Sequence, residues 1–424
     1  MQEQVKKQDE YKFSRLMYII EAALEYFVAI AVGGVYLAKL TSYMGIPDSV
    51  TGVLTAFVSL GCGFQIIAIF LSHKKPVKRW VTALHLISQT LFALLYFVPI
   101  FPLSTTQKTA VFVVIMLLSQ ILHNVVNAPK IHWYMSLVDF EKRGRFTANK
   151  EIVSLLGGMA FSYFMGALMD TYEAKGDMRT AFILGGITLL VLMILHTCTL
   201  VFAKEKKVEQ TQKTSIKTEL KAFFKDKTLF KIVLISVFWN IAHYITTPFM
   251  GTYQNNELEF TLKYASIIIM VGSFFRVLCS KPLGRFADKH SFTKMLIICY
   301  LIEAAAFGVN IFTNPSNGKV LYVIYHLLYV AGMAGINSAV INLIYDYVEE
   351  ERRTGALAIQ QTCAGFAGFF TTLVVSPLVK NIQDNGNTFL GIPVYAQQVL
   401  SAISFVAVLG LLVYMLTVIR KIKK

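Results

Sequence analysis

Long apolar runs, cut by short bursts of charge, repeat along the whole chain. Twelve runs stand out, at about 16–40, 49–72, 80–98, 109–131, 150–169, 180–203, 230–253, 263–283, 295–313, 319–344, 356–379 and 395–419. Runs of roughly twenty apolar residues are the length of a membrane-spanning helix. They lack the apolar–polar alternation of a lipid-facing β-barrel strand. The pattern therefore predicts an all-α integral membrane protein with twelve transmembrane helices.

Composition agrees with that reading. Of 424 residues, 55% are hydrophobic and only 15% are charged, where a soluble domain carries about 25% charged residues. The formal net charge of +15 would suggest nucleic acid in a soluble protein. Here it reads as loop charge that sets orientation, with a lipid bilayer and not nucleic acid as the partner. With the N-terminus inside, 32 Lys and Arg fall on inner segments and 7 on outer loops, leaving Arg276 within a span. That bias predicts a multi-pass protein of the inner or plasma membrane with both termini cytoplasmic. The N-terminal stretch starts polar and lacks a small-residue cleavage site, so it reads as a tail and not as a signal peptide. The five cysteines, Cys62, Cys198, Cys279, Cys299 and Cys363, sit in apolar runs without CxxC spacing. They read as packing residues, with no metal site or disulfide expected.

The longest polar stretch, 204–229, divides the twelve spans into two sets of six. The expected domains are an N-terminal six-helix bundle (1–203), a cytoplasmic linker (204–229) and a C-terminal six-helix bundle (230–424). Part of the linker, "SIKTELKAFFKD", fits either a surface amphipathic helix or a solvated connector. The two sets echo each other. "DFEKRGRFTANKE" (139–151) and "YVEEERRTGALAIQQ" (347–361) both run acid, paired bases, helix start, with Arg143 and Arg353 in equivalent places. Such echoes mark internal structural repeats.

Between spans eight and nine lies "PLGRFADKHSFTKM" (282–295). Gly284, Phe286, Ala287, Asp288, Lys289 and Lys294 follow the order Gly-x-Leu-Ala-Asp-Arg/Lys-x-Gly-Arg/Lys-x-Lys/Arg, with Ser291 where glycine is usual. With six plus six spans and a basic central segment, the chain resembles the major facilitator superfamily of secondary transporters. The resemblance implies two pseudo-symmetric six-helix bundles that alternate access to a central cavity. It also implies a cytoplasmic latch in which Gly284 permits a tight turn and Asp288, beside Lys289, meets the start of the fifth span or Arg143 and Arg145. The first half departs from the pattern: "SHKKPVKR" (72–79) keeps the bases and lacks the acid. The fifth span lacks the Gly-Pro pair of the family's drug–proton antiporters, which lowers the expectation of drug efflux.

Ionisable residues inside spans are costly and are functional candidates by default. Glu21 and Glu25 share a helix face at i, i+4; Glu21 is placed near the cytoplasmic interface and Glu25 near mid-span. Tyr36 returns to the face of Glu25. Arg276 and Glu303 lie at similar depths, either pairing with each other or leaving Arg276 to face the cavity. Span seven offers Trp239, Asn240, His243 and Thr247; span ten Tyr322, Tyr325, His326, Tyr329 and Asn337; span four Gln120, His123, Asn124 and Asn127. The resemblance makes the first, fourth, seventh and tenth spans the cavity lining. Substrate-binding candidates are therefore Glu25, Tyr36, Asn124, Trp239, Asn240, His243, Arg276, Tyr325, Tyr329 and Asn337. Each of these polar groups has a competing reading as interhelical glue.

No catalytic constellation and no phosphate-binding glycine loop occurs, so neither an enzyme nor a cofactor is expected. The expected function is secondary active transport of a small polar solute, such as a sugar or glycoside, by a monomer. Coupling to H+ or Na+ is expected through Glu25. Export of amphipathic compounds is the alternative; an intramembrane enzyme or a non-transporting sensor lies further off.

Overall fold

The computed structural model describes residues 10–67, 76–139, 142–206, 223–349 and 352–422, with backbone alone at 143–145, 148 and 354. Most of the connector between spans two and three, most of the central linker and the side chains of Arg143 and Arg145 lie outside the described residues.

The apolar runs become helices. Among the described residues eleven helices are long and apolar enough to cross a membrane, and a bent pair brings the number to twelve. The bent pair is α1 (Lys12–Ala31) and α2 (Gly34–Tyr43), which meet at 41°. Gly34 has φ +49°, a left-handed conformation that glycine takes without a Cβ penalty. The first span is thus broken within the single run that its hydropathy predicts. The others follow as α3 (Asp48–Gly63), α4 (Val77–Leu94), α5 (Thr105–Met135), α6 (Arg143–Ala174) and α7 (Met178–Phe202). After the linker come α8 (Lys227–Thr246), α9 (Leu262–Lys289), α10 (Phe292–Asn310), α11 (Gly318–Tyr347), α12 (Arg353–Asp384) and α13 (Ala396–Thr417). A short hairpin, β1 (Thr388–Phe389) with β2 (Ile392–Pro393), is an addition to the all-α expectation.

Helix ends follow local chemistry. The Ser104 hydroxyl accepts from the Gln107 amide in a capping box at α5. Asp177 accepts from Thr180 at α7, and Asp226 from Thr228 and Leu229 at α8. These side chains satisfy amides that the first helical turn leaves open. The expected echo is visible in the helices: α6 begins at Arg143 and α12 at Arg353, and each runs 32 residues.

The helices form two compact units. The first comprises Met1–Ile46, Phe64–Lys213 and Thr261–Ser266. In it α1 packs on α6 and α7, and α4 packs on α5 and α7. Tyr18, Trp133, Tyr134, Leu137 and Leu200 form a core, with the Tyr18 and Tyr134 rings stacked at 4.4 Å. The second comprises Pro47–Gly63, Thr214–Phe260 and Ile267–Lys424. There α8 packs on α12 and α13, α10 on α11 and α13, and α3 on α12. The grouping departs from a division at the linker in two respects: α3 clusters with the second unit, and Thr261–Ser266 with the first.

The segment 282–295 differs from its expectation. Gly284 does not make the turn: α9 runs through it to Lys289. The chain turns at His290, and Ser291 starts α10 by accepting from the Lys294 amide at 3.2 Å. A serine at that position supplies an N-cap that glycine, without a side chain, cannot. Asp288 and Lys289 are exposed at the end of α9.

Candidate functional site

The charged residues of the first unit converge inside it. The ammonium of Lys130 on α5 lies 2.7 Å from Glu21 Oε1 and 2.5 Å from Glu25 Oε2, both on α1. The i, i+4 spacing places both carboxylates on one helix face, where one ammonium spans them. His123, seven residues before Lys130 on the same face of α5, brings Nδ1 to 3.5 Å from Glu25 Oε1. His196 on α7 lies 2.8 Å from Glu21 Oε1. His85 on α4 reaches His196 Nδ1 at 2.9 Å, with the two rings at 85°. One lysine, two glutamates and three histidines from four helices thus form one polar cluster.

Burial grades across this cluster. The side chains of Glu21 and His196 are 0% exposed and that of Lys130 is 1%, whereas Glu25 is 18% and His123 19%. Glu25 and His123 therefore form the accessible edge, and Glu21, His85, His196 and Lys130 the closed interior. Burying one ammonium against two carboxylates offsets the large cost of removing each charge from water.

Of the expected site residues of this unit, Glu25 is in the cluster. Asn124 sits beside it, donating to the Gln120 carbonyl at 2.9 Å and accepting from Gln65. Tyr36 is not there. The break between α1 and α2 carries it away, and its hydroxyl bonds the Ser162 carbonyl at 2.5 Å and the Ser266 hydroxyl at 2.8 Å. Glu21 is not an interface residue; it is fully buried.

The charge count assigns Lys130, next to last in the apolar run 109–131, to the inner side and not to the span interior. In the structure α5 continues through Pro129 to Met135. The readable signal is the spacing His123–Asn127–Lys130, at 0, 4 and 7 on one face. His85 and His196 carry no such signal, each being a single histidine in an apolar span.

The second unit brings together a different set. The indole of Trp239 on α8 lies 5.4 Å from the His243 ring and 5.4 Å from Tyr300 on α10. His243 stacks on Tyr329 of α11 at 5.8 Å, with the Tyr329 hydroxyl 3.4 Å from its Nδ1. Tyr325 joins Tyr329 at 5.9 Å. These are ring–ring distances at which aromatic pairs attract. Asn240 is half-buried and donates to the Ser236 carbonyl of its own helix. Asn337 is exposed and apart from this cluster.

Arg276 and Glu303 do not pair. Among the described residues the ion pairs of this unit are confined to Arg352 with Asp226, and half-buried Arg276 stays on α9. Glu303 is fully buried against Gly332 of α11, where any side chain would overlap its carboxylate. The side chains of Arg143 and Arg145 lie outside the described ones, so the partners expected for Asp288 are not on view.

The chain matches the model of the Major Facilitator Superfamily over residues 17–372. No curated protein matches it. Solved structures similar to it include the nucleoside transporter NupG, at 15% identity and TM-score 0.70, over 97% of this chain and 100% of that one. A D-xylose–proton symporter is similar at 16% identity and TM-score 0.68, over 95% and 97%. A bacterial metal transporter is similar at 12% identity and TM-score 0.65, over 96% and 97%.

Proposed function

Because the chain belongs to the major facilitator superfamily, we propose that it is a secondary active transporter that moves a small polar solute across the cell membrane by alternating access, coupled to an ion through Glu25. The observation that carries this reading is the graded cluster of the first unit. Glu25 is the acid at its accessible edge, and Lys130 inside it is a counter-ion that can hold the carboxylate when the coupling ion leaves. A charged group kept this deep in a membrane protein is expensive and marks an ion or substrate path.

The solute class follows from the second unit. Trp239 and Tyr325 are buried and His243 and Tyr329 half-buried; their rings carry flat apolar faces with hydroxyl, indole and imidazole groups at the edges, to be uncovered as the cavity opens. Such a surface suits the C–H faces and hydroxyls of a sugar or glycoside. The similar structures named for a nucleoside and for D-xylose agree with a hydroxyl-rich solute. We also hold Asp288 to be a gating residue, so that Asp288→Ala slows uptake and leaves the melting temperature unchanged. The bias of Lys and Arg supports cytoplasmic termini, and external labelling of a Gln212→Cys protein in intact cells would contradict that orientation.

The test is uptake by the purified protein in proteoliposomes, screened against sugars, glycosides and nucleosides under imposed H+ or Na+ gradients. Glu25→Gln keeps the shape and a hydrogen bond but removes the charge. It should abolish gradient-driven uptake and leave counterflow exchange. Normal gradient-driven uptake by Glu25→Gln removes Glu25 from the coupling.

A further inference from the structure

We propose that Glu21, His85 and His196 form a binding site for a divalent first-row transition-metal ion of the Zn2+ class. The three side chains come from α1, α4 and α7 and are each 0% exposed. One ligand atom from each lies within 4.8 Å of the other two. Glu21 Oε1 and His196 Nε2 are 2.8 Å apart, and His85 Nε2 is 3.2 Å from His196 Nε2. Ligands bound at about 2.0–2.1 Å to a common ion sit about 2.8–3.4 Å from one another, depending on its geometry. The spacing is thus that of an assembled ligand set.

The donor chemistry and the hydrogen bonding point the same way. Two imidazoles with one carboxylate suit Zn2+, Fe2+ and Co2+ better than Mg2+ or Ca2+, which take all-oxygen sites. When His196 donates from Nε2 to Glu21, its Nδ1 accepts from His85 Nε2, a tautomer assigned from the network. That arrangement leaves two buried acceptors, Glu21 Oε2 and His85 Nδ1, without a hydrogen-bond partner. Buried acceptors are rarely left open, and these two belong to two of the three proposed ligand side chains, so each side chain has a lone pair that no protein group takes. Lys130 competes for Glu21 Oε1, but the cluster's two carboxylates exceed its one ammonium, and Glu25 remains to hold Lys130 when the ion takes Glu21. His123 belongs to a second grouping, with Glu25 and His85, and is not one of the three ligands proposed here.

The site is tested on tag-free full-length protein in detergent, so a failure of the transport reading leaves it untouched. Titration with Co2+ should produce visible ligand-field absorption that Zn2+ reverses. Glu21→Gln and His85→Asn should each weaken binding at least about tenfold, since even groups outside the ligand shell are worth 10–100-fold. His290→Ala, which removes an exposed histidine elsewhere, should change nothing. X-ray absorption of the Zn2+-loaded unaltered protein needs no variant to fold, and should show imidazole scattering from two histidines. Absent Co2+ bands, a spectrum without imidazole, or folded Glu21→Gln and His85→Asn proteins that bind as tightly as the unaltered one would each overturn the proposal.

Discussion

In the first unit one lysine holds two glutamates and three histidines surround them, each within hydrogen-bond or ion-pair distance of a neighbour in the cluster. In the second unit a tryptophan, a histidine and several tyrosines lie beside a buried glutamate, Glu303, that no cation pairs among the described residues. Both clusters are polar groups in apolar helices, but they are stabilised differently. The first depends on mutual neutralisation of charge, so each member needs the others. The second depends on ring contacts, each worth about 0.5–1.5 kcal/mol beyond area burial, so its members are more nearly independent. Helices of the same repeat plan thus carry a cluster of charges in one unit and a cluster of rings in the other.

The largest effect that would break this comparison is at Lys130. Lys130→Met leaves buried Glu21 and half-buried Glu25 without their cation, and breaking a buried pair costs about 3–5 kcal/mol. A steep fall in thermal stability is expected. Adding Glu21→Gln and Glu25→Gln to Lys130→Met should recover most of it, because no uncompensated charge remains. If the triple variant melts as low as the single one, the cluster is not held by neutralisation.

A smaller effect is expected at Trp239. Trp239→Ala removes ring contacts to His243 and Tyr300 and should raise the half-saturation concentration for the transported solute about tenfold, or about 1.4 kcal/mol. Its maximal rate should stay near that of the unaltered protein. A loss of rate with unchanged half-saturation would move Trp239 from recognition to the conformational step.

The smallest is at Glu303. Glu303→Gln preserves shape beside Gly332 and breaks no ion pair, so its cost in thermal unfolding should be under about 1 kcal/mol. A loss comparable to that of Lys130→Met would reveal a charge partner for Glu303 and erase the contrast between the units.

Much of the architecture is legible in the chain itself. Span number and the repeat with its helix starts at Arg143 and Arg353 follow from hydropathy and short-range order, whereas the segment at 282–295 is read by resemblance and its turn lies at His290, not Gly284. Those signals are local. Twenty apolar residues have no stable alternative to a helix in lipid, because every backbone amide must be bonded within the segment. The face of a helix is local too, which is why Glu21 groups with Glu25 before any packing is known.

What only the tertiary structure decided is which faces meet. Lys130 at the end of an apolar run can extend to the membrane surface or turn inward, and its course was settled by Glu21 and Glu25 on another helix, more than a hundred residues away. His85 and His196 are ordinary single histidines until packing of α4 and α7 sets their rings 4.2 Å apart. Arg276 and Glu303 match in depth but do not pair, because depth along a helix says nothing of rotation about it. Tyr36 lost its expected place to a bend at Gly33 and Gly34 that hydropathy does not register. Periodicity assigns each side chain a direction from its own axis; the partner in that direction depends on where the other axes lie, and that is a property of the packed molecule.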